Sequence, residues 1–150
     1  MLGYRPDAPP ARRERLSDDA IQRFLATKEV VILATVEPDG APLAVPMWFL
    51  ADGDTIVMIS VAGLRKLGNM HRDPRVAVVA ESGNRGAEIK NLLVRGRVEF
   101  LPDGAERRAL AERFVTKYHP HLEALWRGTA MPADREMFRI VPERVRSRGL

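Results

Sequence analysis

The sequence predicts an α+β chain, mainly β, whose antiparallel strands close on themselves. Three observations point there. β-branched runs recur at short intervals, VVILATV at 30–36 being the clearest. Pro38-Asp39-Gly40 and Asp52-Gly53-Asp54 punctuate the early runs, with Gly supplying the positive φ that tight turns need. Helical spacing is confined to short stretches at the start, after the third strand and after the fifth. Closely spaced antiparallel strands avoid exposed edges by closing into a barrel, and six strands are expected here.

Taken in order, residues 1–15 carry prolines and charges without apolar periodicity and read as a flexible N-terminal arm. Residues 16–150 form a single domain. Ser17 is the expected N-cap of the first helix, with Asp18 and Asp19 in its first turn and a Leu16–Ile21 staple. Ile21, Phe24 and Leu25 form its apolar face. The strands follow at 30–36, 43–50 and 56–60, read as a meander. A helix at 64–71 carries Leu64, Leu67 and Met70 on one side. A fourth strand runs over 76–80, and 82–88 is a polar loop. The fifth strand, 91–101, contains Gly96 at an expected bulge. Asp103 and Glu106 have the spacing of a capping box before a helix bearing Leu110, Phe114 and Tyr118. A helical turn at 121–126 precedes a last strand at 136–141 with its tail at 144–146.

Composition narrows the function. At 150 residues with 45% hydrophobic and 29% charged content, the chain can bury one real core. It has no cysteine, which removes disulfide and thiolate chemistry. No run approaches the ~18 apolar residues that a membrane helix needs, and no signal core is visible, so a cytoplasmic location and no membrane partner are expected. The net charge is +4, with 20 Arg against 4 Lys. No long like-charge block or aromatic-basic repeat favours nucleic acid as a partner. Around His71, His119 and His121 there is no metal-ligand spacing, so they read as surface residues. Nucleophile-elbow, dinucleotide-fold and phosphate-loop glycine motifs are absent. A chain with so little catalytic equipment of its own suits a cofactor-borne reaction.

The most informative stretch is 55–79. Ser60 ends a strand, Gly63 lies in the loop, and Arg65–Lys66 open the helix that Asp73–Pro74 stops. A hydroxyl and two adjacent cations make a phosphate clamp, since Arg offers a planar fork and Lys a movable charge. Taken alone, the pair reads more readily as a solvated helix face.

Four segments in order settle the choice: FLATKEVVILATVEPDGAPLAVPMWFL from 24, ISVAGLRK at 59–66, NMHRDPRVAVV at 69–79 and NLLVRGRVEFL at 91–101. Together they resemble the split-barrel flavin-binding family of pyridoxamine 5′-phosphate oxidases and flavin/deazaflavin oxidoreductases, over residues 24–145. The resemblance implies an antiparallel six-stranded split β-barrel with flanking short helices. It implies a homodimer with a cofactor, F-420 or FMN, in each of two grooves between subunits. Val45, Pro46, Met47 and Trp48 would run beside the flavin ring, Ile59 and Ser60 would lie near the ribityl-phosphate, and Arg65 and Lys66 would hold the phosphate. Asn91 would reach the cofactor from the partner subunit. Trp126 is read as packing. The short C-terminus lacks the substrate-binding Arg and His of the vitamin B6 oxidases, and the PMWF stretch is similar to the F-420 branch. Where many of that branch end in R-x-R-S-W, this chain ends RVRSRGL. The expected activity is hydride transfer to or from a small conjugated substrate. A non-catalytic store or sensor of FMN, F-420 or haem is the alternative.

Overall fold

A computed structural model describes residues 13–150. Most of the expected arm, residues 1–12, lies outside the described residues. At its end the Glu14 carboxylate accepts bonds from the backbone N–H of Ser147, at 2.8 Å, and from its hydroxyl.

Seven strands form one antiparallel sheet: β1 Val30–Val36, β2 Pro42–Trp48, β3 Leu50–Asp52, β4 Thr55–Val61, β5 Arg75–Ser82, β6 Lys90–Phe100 and β7 Arg135–Arg148. Their spatial order is β2-β1-β5-β6-β7-β4-β3. The sheet curls into a half-barrel. Its two ends, β2 and β3, are consecutive halves of one run, broken at Phe49, which is why seven strands stand where six were expected. The meander is corrected too: β4 pairs with β3 and with β7, and β2 pairs with β1. The last strand wins the place beside β4 because Ile140 and Phe138 bring their side chains into the same interior as Ile56 and Met58.

Parity divides the sheet. Val31, Leu33, Ile56, Met58, Val78, Val94, Phe138 and Ile140 fill the barrel interior, with Leu16, Ile21 and Leu25 of the N-terminal segment closing one end. Leu16 and Ile21 thus meet in one core as the staple predicts, but Ser17 is no cap. Helix α1, Asp19–Ala26, starts after Asp18, with no side-chain cap bond, and the Ser17 N–H instead donates to the Asp54 carboxylate (3.1 Å).

Outside the barrel, Val57 and Met137 pack under two further helices, α3 Ala105–Lys117 and α4 His121–Trp126. These contribute Leu110, Phe114, Tyr118, Leu122 and Trp126 to a second core. The capping box before α3 does not form: Gly104 occupies the cap position, and Asp103 reaches Arg108 at 3.8 Å. The expected bulge is present, with the β6–β7 register shifting between Arg95 and Gly96. A Cβ at Gly96 would stand 2.2 Å from the Val141 carbonyl oxygen, so the close backbone approach demands glycine.

Candidate cofactor site

The segment joining β4 to the helix α2, Arg65–Arg72, builds the site from the chain upward. Ser60 points inward with Met58, while Ile59 points outward and packs against the second core. The Ala62 N–H donates to the Asp134 carbonyl (2.8 Å), turning the chain off the sheet, and Gly63 completes the turn at φ 85°. Leu64 is extended at the helix cap and exposed, so only Leu67 and Met70 of the expected apolar trio are buried.

Arg65 and Lys66 occupy the first turn of α2, where unpaired N–H groups and the helix dipole already concentrate positive charge. That first turn contains no acid. Two cations there oppose the dipole by about 0.3–1 kcal/mol each unless an anion is present. Arg65 is mostly exposed and has Glu37 at 3.6 Å. Lys66 is half-buried, and burial pushes its pKa down.

The helix beneath them is held by contacts that sequence reasoning missed. Asn69, buried, donates from Nδ2 to the Thr35 hydroxyl, also buried, at 3.1 Å. Arg72 donates to the Asn69 side chain (3.3 Å) and to the Val36 carbonyl. His71 bonds Glu136 through Nε2 at 2.9 Å and stacks on Phe100, with ring centres 3.9 Å apart. Glu136 is the register partner of Ser60. A polar pair facing inward from a short helix and from β1 was the signal available for Asn69 and Thr35.

Val45 to Trp48 lie on β2, which also touches β4. As the first strand in the sheet order, β2 leaves one backbone edge outside the ladder, and Pro46, without an N–H, suits an edge strand. Met47 is core, Val45 packs against that core, and Pro46 faces out beside Ile32. Trp48 stacks on Tyr118 with ring centres 4.5 Å apart and planes 5° apart. The Tyr118 hydroxyl accepts from the Phe49 N–H (2.7 Å) and lies 2.7 Å from the Glu29 carbonyl oxygen, pinning the corner where β2 breaks. Lys117 donates to the Phe49 carbonyl (2.8 Å).

Asn91 stands apart. It pairs with Glu81 and Arg148, level with Val30 rather than with Val36, where α2 docks. Six residues of strand separate those levels, roughly 20 Å. One chain therefore brings Ser60, Arg65 and Lys66 to neighbouring elements and leaves Asn91 apart from them, level by register with Val30 and its partner Trp48. Trp126 is buried in the second core. His119 bonds Glu123 at 2.6 Å on the surface. The larger concavities among the described residues lie elsewhere: about 900 Å³ between α3 and residues 129–133, about 680 Å³ between the start of α1 and the end of β7, and about 550 Å³ on the outer face of β1, β5 and β6.

A half-barrel of this topology, with a cationic helix start at the end of β4, defines the split-barrel class. Residues 17–149 match the family profile of pyridoxamine 5′-phosphate oxidase, and the chain belongs to that family. Among solved structures, it is similar to an FAD-binding protein from Mesorhizobium loti at 26% identity, covering 85% of this chain and 88% of that one with a TM-score of 0.68. The conserved hypothetical protein Rv2991 of Mycobacterium tuberculosis matches at 24% identity over 91% and 87%, TM-score 0.73. The haem storage protein HutZ from Vibrio cholerae matches at 18% over 91% and 97%, TM-score 0.73. These last two show the shared fold. No curated protein matches the sequence.

Proposed function

We propose that this protein is a flavin-type oxidoreductase that holds F-420 or FMN and passes hydride to or from a small conjugated substrate. One observation carries the reading: Arg65 and Lys66 sit together at the positive end of α2 with no acid in that turn. A dianionic phosphate removes the repulsion, accepting from the Arg fork, the Lys ammonium and the helix N–H groups. The family and the FAD-binding neighbour support a flavin-type ring.

When bound, the ring supplies the hydride chemistry. The chain's own residues do the rest. Arg65, Lys66 and Ser60 anchor the phosphate end. Val45, Pro46, Met47 and Trp48 present a rigid edge strand to the ring, and Tyr118 fixes the tilt of Trp48. Ile59 backs the strand from the second core. Fixing the ring against a strand is a positioning contribution.

The groove is completed in this proposal by a second copy of the chain, working in the cytoplasm. Val30, Ile32 and Val79 are exposed on the outer face of β1 and β5, with Ile32 and Val79 in direct register. A homodimer through that face covers them and lets Asn91 of each chain reach the other's cofactor.

The test is a fluorescence titration with FMN and with F-420. Arg65→Ala with Lys66→Ala should weaken affinity by about 3–6 kcal/mol, at about 1.5–3 for each charge-assisted contact. Unchanged affinity refutes the clamp. Turnover of reduced cofactor with nitro- or enone-type acceptors separates an oxidoreductase from a store or sensor.

A further inference from the structure

A second cationic feature lies on the opposite strands and is not used by the clamp. On the outer face of β6 and β7, Arg95 stands in direct register with Arg144. Arg146 and Arg148 follow at two-residue steps on the same face of β7, opposite Leu93 and Asn91. All four arginines are exposed, whereas Val94 is buried and Val145 half-buried on the inner face. The row from Arg144 to Arg148 is roughly 13 Å long.

Among the described residues, none of the four side chains has an ion pair or a hydrogen bond, although most other arginines of the sheet and helices do. Arg97 takes Glu143 (3.3 Å), Arg75 takes Asp73 (2.7 Å), Arg113 takes Asp52 (2.6 Å), and Arg139 takes Glu106. Like charges directly opposite one another on paired strands destabilise a sheet. The chain therefore keeps an unfavourable cross-strand pair while Glu143, the acid next to Arg144, is engaged by Arg97.

The arginines also border a concavity. Leu93, Arg95, Arg144 and Arg146 enclose a cleft of about 60 Å³, the share of about two waters in the liquid. That is room for one small oxyanion. Arg95 and Arg144 also line the neighbouring 550 Å³ groove, whose floor includes Ala34, Ala77 and Gly96.

We propose that Arg95, Arg144 and Arg146 form a binding site for a compact multivalent oxyanion, phosphoryl or carboxylate. Two guanidinium forks in register grip one group from both sides, and Arg146 meets a second charge along the row. The site uses none of the residues assigned to the cofactor, and it borders the β1–β5 face given above to the second copy.

The test is a thermal-melt titration of the cofactor-free protein with pyrophosphate and with citrate, against sodium chloride at matched ionic strength. A saturable rise in Tm with either probe, absent in Arg95→Gln/Arg144→Gln, is expected. The probe giving the rise at lower concentration identifies the phosphoryl or carboxylate class. Without probes the double variant should melt at or above the parent temperature, since a like-charge pair has been removed. A rise matched by sodium chloride, or retained in full by the double variant, overturns the proposal. So does a double variant that folds but melts well below the parent, because the arginines would then support the fold itself.

Discussion

The outer surface of the sheet has two halves that the chain treats differently. Over β4 and the start of β7, the outward residues Val57, Ile59 and Met137 lie under α3 and α4 and belong to a packed core. Over β1, β2 and β5, the equally outward Val30, Ile32, Pro46 and Val79 have no helix above them among the described residues. Both halves are apolar by parity, yet the described residues of the chain cover only one. The difference separates what a single chain stabilises by itself from what it holds ready for something else.

The largest effect should come from the covered half. Phe114→Ala empties a 2% exposed position beneath α3 and should cost about 3–5 kcal/mol in denaturant unfolding. The contrasting change, Ile32→Glu on the open half, should leave circular dichroism native but abolish self-association, because an unpaired carboxylate is costly at an apolar contact. Equal losses of folding stability from both would erase the distinction.

Tyr118 joins the halves, since it belongs to the second core and also pins Phe49 at the strand break. Tyr118→Phe keeps the stacking surface for Trp48 but strips the Phe49 N–H of its acceptor. Chemical denaturation should show a loss of about 1–3 kcal/mol. A neutral substitution would mean that the corner holds without the hydroxyl.

The smallest effect is a pH dependence at the same corner. Burial brings Lys117 down to about 8 from 10.5. Between those values the unfolded chain binds more protons than the folded one, so stability rises with pH from about 8 towards 10. Above pH 10 the trend reverses, because burial holds Tyr118 up at about 12 and the unfolded phenol ionises first. Thermal melts should show the first rise flattened in Lys117→Met; an identical profile would place the ammonium in free solvent.

Local chemistry made much of this legible in the sequence. The VVILATV run, the Gly40 and Gly53 turns and the Gly96 bulge each follow from residue type, and each is present at its expected place. The partners of strands were not legible. The pairing of β4 with β7 joins residues about eighty positions apart, and no local pattern encodes it. The break at Phe49 was hidden because its cause, the Tyr118 hydroxyl, lies 69 residues away. Caps failed where tertiary contacts competed, as when the Ser17 N–H found Asp54. At the candidate site Arg65 and Lys66 announced themselves as adjacent cations. The Asn69–Thr35 and His71–Glu136 pairs that steady their helix became visible only once the strands were in place.

Sedimentation velocity of the FMN- or F-420-loaded protein, followed at the absorbance of the ring, tests the account most directly. The open half and the distant Asn91 together predict that the coloured species sediments as a dimer. A coloured monomer would contradict it.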